Sequence, residues 1–204
     1  NSSSDGISDL PIVLQPVSSV TSDDGMGHAY TVTYKYWDGV FDVSNREFLG
    51  FDQVREIDSD GNYVDNWFKQ DPKYKGRMYL QETKDGSGNI YSRLWNYWDC
   101  FEPYTGVYLP YLKSQDRYVY DGDGSNFKRT QTVYEYDSYG NPTKISYSGD
   151  DTAGWGTILG DEKYTYIEYV YNQDKWILSK ASHTYTTDSN GNKVSEGWRY
   201  YDGN

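Results

Sequence analysis

Large and small or polar side chains alternate along most of this chain with a period of two, the pattern of strands that turn one face each way. In the run 30–37, Tyr-Thr-Val-Thr-Tyr-Lys-Tyr-Trp, the residues Tyr30, Val32, Tyr34 and Tyr36 fall on one face. Thr31, Thr33 and Lys35 fall on the other. Similar runs at 90–98, 117–120, 130–136, 163–171, 175–182, 183–187 and 198–201 predict further strands. In 164–171 both faces carry large side chains, which fits a strand covered on both sides or one with a wet aromatic face. Only 43–51 and 68–74 are weakly patterned and leave room for a helical turn. The expectation is an all-β fold of antiparallel hairpins and meanders, with less than about a fifth of its residues in helix.

Between the strands one kind of turn recurs: Asp58-Ser-Asp-Gly61-Asn62, Asp85-Gly-Ser-Gly88-Asn89, Asp137-Ser-Tyr-Gly140-Asn141 and Asp188-Ser-Asn-Gly191-Asn192. Each reads Asp-x-x-Gly-Asn. Gly and Asn adopt positive φ at low cost, which tight hairpins demand, and the leading carboxylate can accept from backbone amides two residues on. The leading aspartates lie 27, 52 and 51 residues apart, so the repeat is degenerate rather than strict. In the third copy Tyr134 and Tyr136 should share a strand face, and Pro142 should open the return strand.

Composition agrees with the pattern. The 204 residues include 24 Tyr, 7 Trp and 20 Gly; aromatic residues suit a pleated, half-buried surface, and disordered chains are poor in them. The length is enough to bury a core of its own and points to a single all-β unit over 1–204, with the proline-bearing stretch 101–116 as the one internal boundary. A net charge of −12 argues against nucleic acid and anionic membranes as partners. No apolar run reaches 18 residues, so no membrane insertion by a helix is expected. The start, Asn1-Ser-Ser-Ser, lacks the basic and apolar regions of a signal peptide, as if the segment began inside a longer chain or had been processed. Cys100 is the only cysteine, which rules out an internal disulfide and a cysteine-based metal site.

Candidate chemistry is sparse. An EF-hand loop needs oxygens at positions 1, 3 and 5, Gly at 6 and Glu at 12. With Asp58 first, Gly61 falls at 4 and Lys69 at 12; with Asp188 first, Arg199 falls at 12. No metal site and no cofactor are expected. His28 and His183 have no nucleophile elbow beside them and read as strand-face residues. Asp150-Asp151-Thr departs from the aspartic-protease signature because Ala153 stands where Gly is needed. The chain is therefore not expected to be an enzyme. A rival reading is a secreted carbohydrate-binding module, with Trp95, Tyr97 and Trp98, or Trp198, Tyr200 and Tyr201, as a stacking platform. A module complete by itself should have capped sheet edges, whereas a piece of a larger sheet should leave long open ones.

The stretch 134–145, Tyr-Glu-Tyr-Asp-Ser-Tyr-Gly-Asn-Pro-Thr-Lys-Ile, resembles a YD repeat of the RHS class. Tyr36-Trp-Asp38-Gly39-Val-Phe-Asp42, followed by Arg46-Glu47-Phe48-Leu-Gly50-Phe51, resembles the B component of insecticidal toxin complexes (Tc toxins) and related virulence proteins. Lys75-Gly-Arg77 and 175–180 resemble later landmarks of the same region, so the likeness covers roughly 10–204. The turns at Asp85 and Asp188 lack the tyrosine that normally precedes the aspartate. The Pro- and Gly-rich motif that closes such shells is also missing. The resemblance implies a segment of a β-shell that encloses a toxic C-terminal passenger, exported by a bacterium, with structural work and no chemistry of its own. Its partners would be the rest of the shell, the enclosed toxin and a translocation component.

Overall fold

The computed structural model describes residues 10–122, 124–152 and 160–201. Among them are twelve strands and no helix. They are β1 (Ser19–Asp23), β2 (Ala29–Asp42), β3 (Glu47–Ile57), β4 (Tyr63–Phe68), β5 (Met78–Lys84), β6 (Ile90–Tyr104), β7 (Val107–Tyr120), β8 (Phe127–Tyr136), β9 (Pro142–Tyr147), β10 (Lys163–Asn172), β11 (Ile177–Asp188) and β12 (Lys193–Trp198). They belong to one antiparallel sheet whose strand order is the order along the chain. The fold is all-β, as the alternation required.

Several expectations about extent are corrected. The weakly patterned 43–51 holds a four-residue turn and then the start of β3, and β4 runs to Phe68 before an irregular loop over 69–77. The stretch 101–116 belongs to β6 and β7, joined at 105–106. Its prolines lie near that hairpin tip, close to strand ends where a missing N–H costs least. The runs 175–182 and 183–187 merge into β11, and the last strand ends at Trp198, three residues short of the run foreseen to 201.

The chain divides into two compact units, one of residues up to Pro110 with Tyr118–Phe127, the other of Tyr111–Arg117 with the residues from Lys128 onward. In the first unit, register sets charged residues directly opposite one another on successive strands. Lys35 faces Arg55, Arg55 faces Asp65, Asp65 faces Glu82, and Glu82 faces Arg93. In the second, β10 carries two register shifts against β11, at Glu168/Tyr169 and Val170/Asn172.

A conventional apolar core is missing among the described residues. Leu49 is the one apolar side chain that is almost wholly buried, while the three most deeply buried side chains are Asp65, Asp116 and Asp151. The reason is architectural: a face of a sheet becomes a core only when another layer covers it, and the described elements are strands of a single sheet. The interior is instead made where long aromatic and charged side chains lie across their neighbours. Arg55 sits 3.9 Å from the Tyr63 ring centroid, and Tyr166 stacks on Tyr185 across the β10–β11 pair at 4.8 Å.

Candidate functional site

The four Asp-x-x-Gly-Asn turns are built alike. In the third, Asp137 Oδ1 accepts from the amides of Tyr139 (2.8 Å) and Asn141 (2.9 Å), and Oδ2 accepts from Asn141 Nδ2 (2.8 Å). Asp58 makes the same three contacts with Asp60 and Asn62, Asp85 with Ser87 and Asn89, and Asp188 with Asn190 and Asn192. The backbone closes each loop with a bond from the Asp amide to the Asn carbonyl, and Gly61, Gly88, Gly140 and Gly191 all have φ between +84° and +91°. Both oxygens of every leading carboxylate are thus engaged by donors of their own loop, an arrangement for closing a turn rather than for holding calcium. The Asn89 side-chain amide holds Asp85 below the usual carboxylate range, and that of Asn192 does the same for Asp188.

The third turn is also fastened from outside. The Tyr171 hydroxyl donates to Asp137 Oδ2 (2.7 Å), Gln173 Nε2 donates to the Tyr139 hydroxyl (2.6 Å), and Asn141 Nδ2 reaches Leu178 O (2.7 Å). Tyr134 and Tyr136 lie with ring centroids 6.4 Å apart, and Tyr136 donates to Leu112 O. Partial burial pushes the Asp137 carboxyl up, but the hydrogen bonds from Asn141, Tyr171 and Tyr139 outweigh it and hold the group below its ordinary value.

Beyond its chain neighbours nothing lies within 4 Å of a Cβ placed at Gly140, whose φ of +84° is strained for other residues; Gly140→Val should therefore cost about 1–3 kcal/mol in denaturant unfolding, chiefly as backbone strain. Asp137→Ala should cost about 0.5–2 kcal/mol, by analogy with a lost cap. In neither case should calcium or a chelator move the melting temperature. The same hydrogen bond to Asp137 pushes Tyr171 up to about 12. A raised tyrosine contributes stability that is complete below its unfolded value of about 10 and is lost as pH climbs through the folded value. Tyrosinate absorbance should therefore lose a late-titrating contribution in Tyr171→Phe, while the raised Tyr36, Tyr79, Tyr136 and Tyr169 keep theirs.

The Asp38–Phe51 motif is a bulged hairpin. Asp38 and Arg46 take positive φ (50° and 54°), unusual for non-glycine residues, and Gly50 lies at +99° where other residues are strained. The register slips between Val40 and Phe41, so Gly50 faces Val40 and Phe48 faces Phe41, which leaves Leu49 as the extra residue. Gly39 has a different reason: a Cβ there would meet the Phe51 ring and Leu10 at 3.1 Å. Phe51 packs on Tyr36 (4.8 Å) and Phe48 (5.2 Å), Glu47 pairs with Lys75, and Gln70 Nε2 donates to the carbonyls of Asp38 and Gly50. The β10–β11 hairpin uses the same four-residue connection, with Trp176 at φ 54°, a second repeat that the sequence reading missed.

The proposed platforms are not flat. Trp198 is exposed but lies face to face on His183 (3.6 Å, 9°), Tyr201 donates to Ala181 O, and Tyr200 projects alone. His183, buried, sets Nε2 2.8 Å from Glu196 and Nδ1 3.2 Å from Glu168, and His28 pairs with Asp24. Trp95 and Tyr97 share one side of β6 by alternation and Trp98 the other, yet all three line one groove at the end of β5. Tyr79 is the extra residue where the β4–β5 register slips, and a bulge re-aims side chains. Cys100 is a half-buried free thiol.

Sequence reading also missed the buried ionic clusters. Asp65 accepts from Arg55 Nε (2.6 Å), Arg55 Nη2 (2.8 Å) and Gln53 (2.9 Å), while Glu82 is bridged by Arg93 and Lys84. In the second unit Arg129 reaches Asp116 (3.1 Å) and Asp151 (3.4 Å), and Gln131 donates to Asp116. The available signal was an ionic residue at or beside a position that alternation assigns to a strand, as Asp116 just before the run 117–120 and Arg129 just before 130–136.

Residues 1–82 match the family described as Insecticide toxin TcdB middle/N-terminal region, a span that contains the whole bulged hairpin. No curated protein matches the sequence. Among solved structures, a chain of the TcdB2-TccC3-Cdc42 crystal structure aligns with TM-score 0.60 and 13% identity, over 78% of this chain and 12% of that one. A chain of the Photorhabdus luminescens Tc holotoxin pore aligns with TM-score 0.62 and 13% identity over the same shares. The present chain thus spans about an eighth of the length of the structures it matches. In sequence over its first 82 residues and in fold over most of its length, it is similar to the B component of the Tc toxins.

Proposed function

We propose that this chain is a stretch of the β-shell of an RHS/Tc-type toxin, exported by a bacterium, and that it encloses a toxic C-terminal passenger without catalysing a reaction. One observation carries this reading: the strands add one after another in chain order, and the end strands β1 and β12 are exposed at every position. A wall grows by such addition, and the open ends suit further strands. Those ends are five and six residues long, shorter than the edges anticipated. The partners on this reading are the rest of the shell, the passenger and a translocation component. The mechanism is exclusion, since a closed sheet keeps the passenger from solvent, proteases and the producing cell.

Limited proteolysis of the complete polypeptide that carries this segment, assembled with its passenger, tests the idea. The passenger should resist digestion, and excising residues 10–201 should make it cleavable while the remaining strands stay folded. A passenger equally resistant without the segment would sink the proposal.

A further inference from the structure

We propose that the groove at the end of β5 is a saccharide site that takes a short neutral glycan. This inference stands apart from the shell reading and would survive its failure. The groove has a volume of about 390 Å³, within the usual range for small-ligand sites. Five rings line it: Tyr74, Tyr79, Trp95, Tyr97 and Trp98. No aliphatic side chain does, among the described residues. The cavity beside β2 differs in mixing its rings with the aliphatic side chains of Leu10, Ile12, Val13 and Leu14. Aromatic faces carry negative charge density that attracts the polarised C–H groups on one side of a pyranose ring, and Tyr and Trp add a polar edge for its hydroxyls.

The rim supplies one donor and one acceptor. Lys69 Nζ lies 4.7 Å over the Tyr79 ring. Asp71 uses Oδ1 to accept from the amides of Lys73 and Tyr74, which fixes the carboxylate and leaves Oδ2 for a ligand hydroxyl. The two charged residues of the lining, Lys69 and Asp71, are of opposite sign, so neither sign of charge dominates the lining, and the chain's net −12 repels polyanions; the ligand class is neutral. The site is also stiff. Trp98 Nε1 and Asn96 Nδ2 both donate to Met78 O, Arg77 covers one Trp98 face at 5.4 Å, and Tyr79 and Trp95 sit 6.4 Å apart. Little side-chain freedom remains to be lost on binding.

Tryptophan fluorescence of the complete polypeptide, titrated with cellohexaose, chitohexaose and mannohexaose and with polygalacturonate as the acidic arm, tests this. At least one neutral glycan should give a saturable change. Tyr97 is half exposed, so Tyr97→Ala should weaken binding about tenfold, with the far-ultraviolet circular dichroism spectrum read alongside to show that the variant is folded. Tyr97→Phe should stay within about twofold of the parent. Failure of all three neutral glycans with folded protein overturns the site, as does binding indifferent to Tyr97→Ala. A response to polygalacturonate alone overturns the neutral class, and saturation by a peptide mixture without any glycan response assigns the groove to polypeptide.

Discussion

Arg129→Ala should destabilise the second unit by about 3–5 kcal/mol, because it takes the guanidinium away from two buried carboxylates. Asp116 and Asp151 are 0% and 1% exposed and share the one guanidinium, itself 5% exposed. Removing one partner of a buried pair exposes the full desolvation cost of the other, and total stabilities of about 5–15 kcal/mol leave little reserve. Burial pushes the Asp151 carboxyl up, Arg129 opposes that rise, and Asp116 adds to it. Without Arg129 the folded group should climb further. A carboxyl raised in the folded state is accommodated when protonated and becomes a growing penalty as pH rises through its folded value. The variant's deficit should therefore be smaller near about pH 4 than near about pH 7. Urea unfolding at the two values measures it, and a deficit under about 1 kcal/mol at neutral pH would show that the cluster is not sustaining the unit.

Asp65→Ala should weaken the first unit by about 3 kcal/mol. The loss is smaller than at Arg129 for a structural reason. Asp65 faces Glu82 directly across the β4–β5 pair, so its removal also relieves a like-charge contact, and Lys84 keeps its 2.6 Å bond to Glu82. Arg55, about a third exposed and stacked on Tyr63, can turn part of its charge toward water. Asp65→Asn should fall between parent and Ala, since it keeps one acceptor oxygen but loses the charge and turns an amide donor toward the donors that Asp65 serves. A double variant with Arg55→Ala should cost less than the sum of the single losses, as contacting residues do.

Most strands were legible because one face carries rings and the other short or polar groups, as in Tyr30 to Tyr36. The turns were legible because Asp, Gly and Asn each serve a different local need at a fixed place. What escaped was non-local. Asp116 and Arg129 lie on different strands, and nothing in either local sequence says that they meet. The prolines of 101–116 pointed to a place of division, and the two units do part within it, at Pro110 and Tyr111; what the prolines did not announce is that the stretch is paired strand on both sides of a hairpin tip. Chain length says how much could be buried but not whether a second layer exists, so the polar interior of the described residues could not be read from it. Trp95, Tyr97 and Trp98 were singled out for a flat face, whereas the slipped register at Tyr79 and the loop 69–77 gather them around a groove.

Strand order that follows chain order has a consequence for how the molecule gains its structure. When every strand bonds only to those before and after it, the sheet pairing itself never requires distant parts of the chain to find each other, and the entropy of closing long loops is small. Stability then behaves as a sum of single-strand terms and nearest-neighbour terms, as in a one-dimensional array. Order can start at the best-closed hairpins, among them the four Asp-x-x-Gly-Asn turns, and spread outward. It should also melt inward from β1 and β12, with amide protection from hydrogen exchange rising toward the interior strands of each unit.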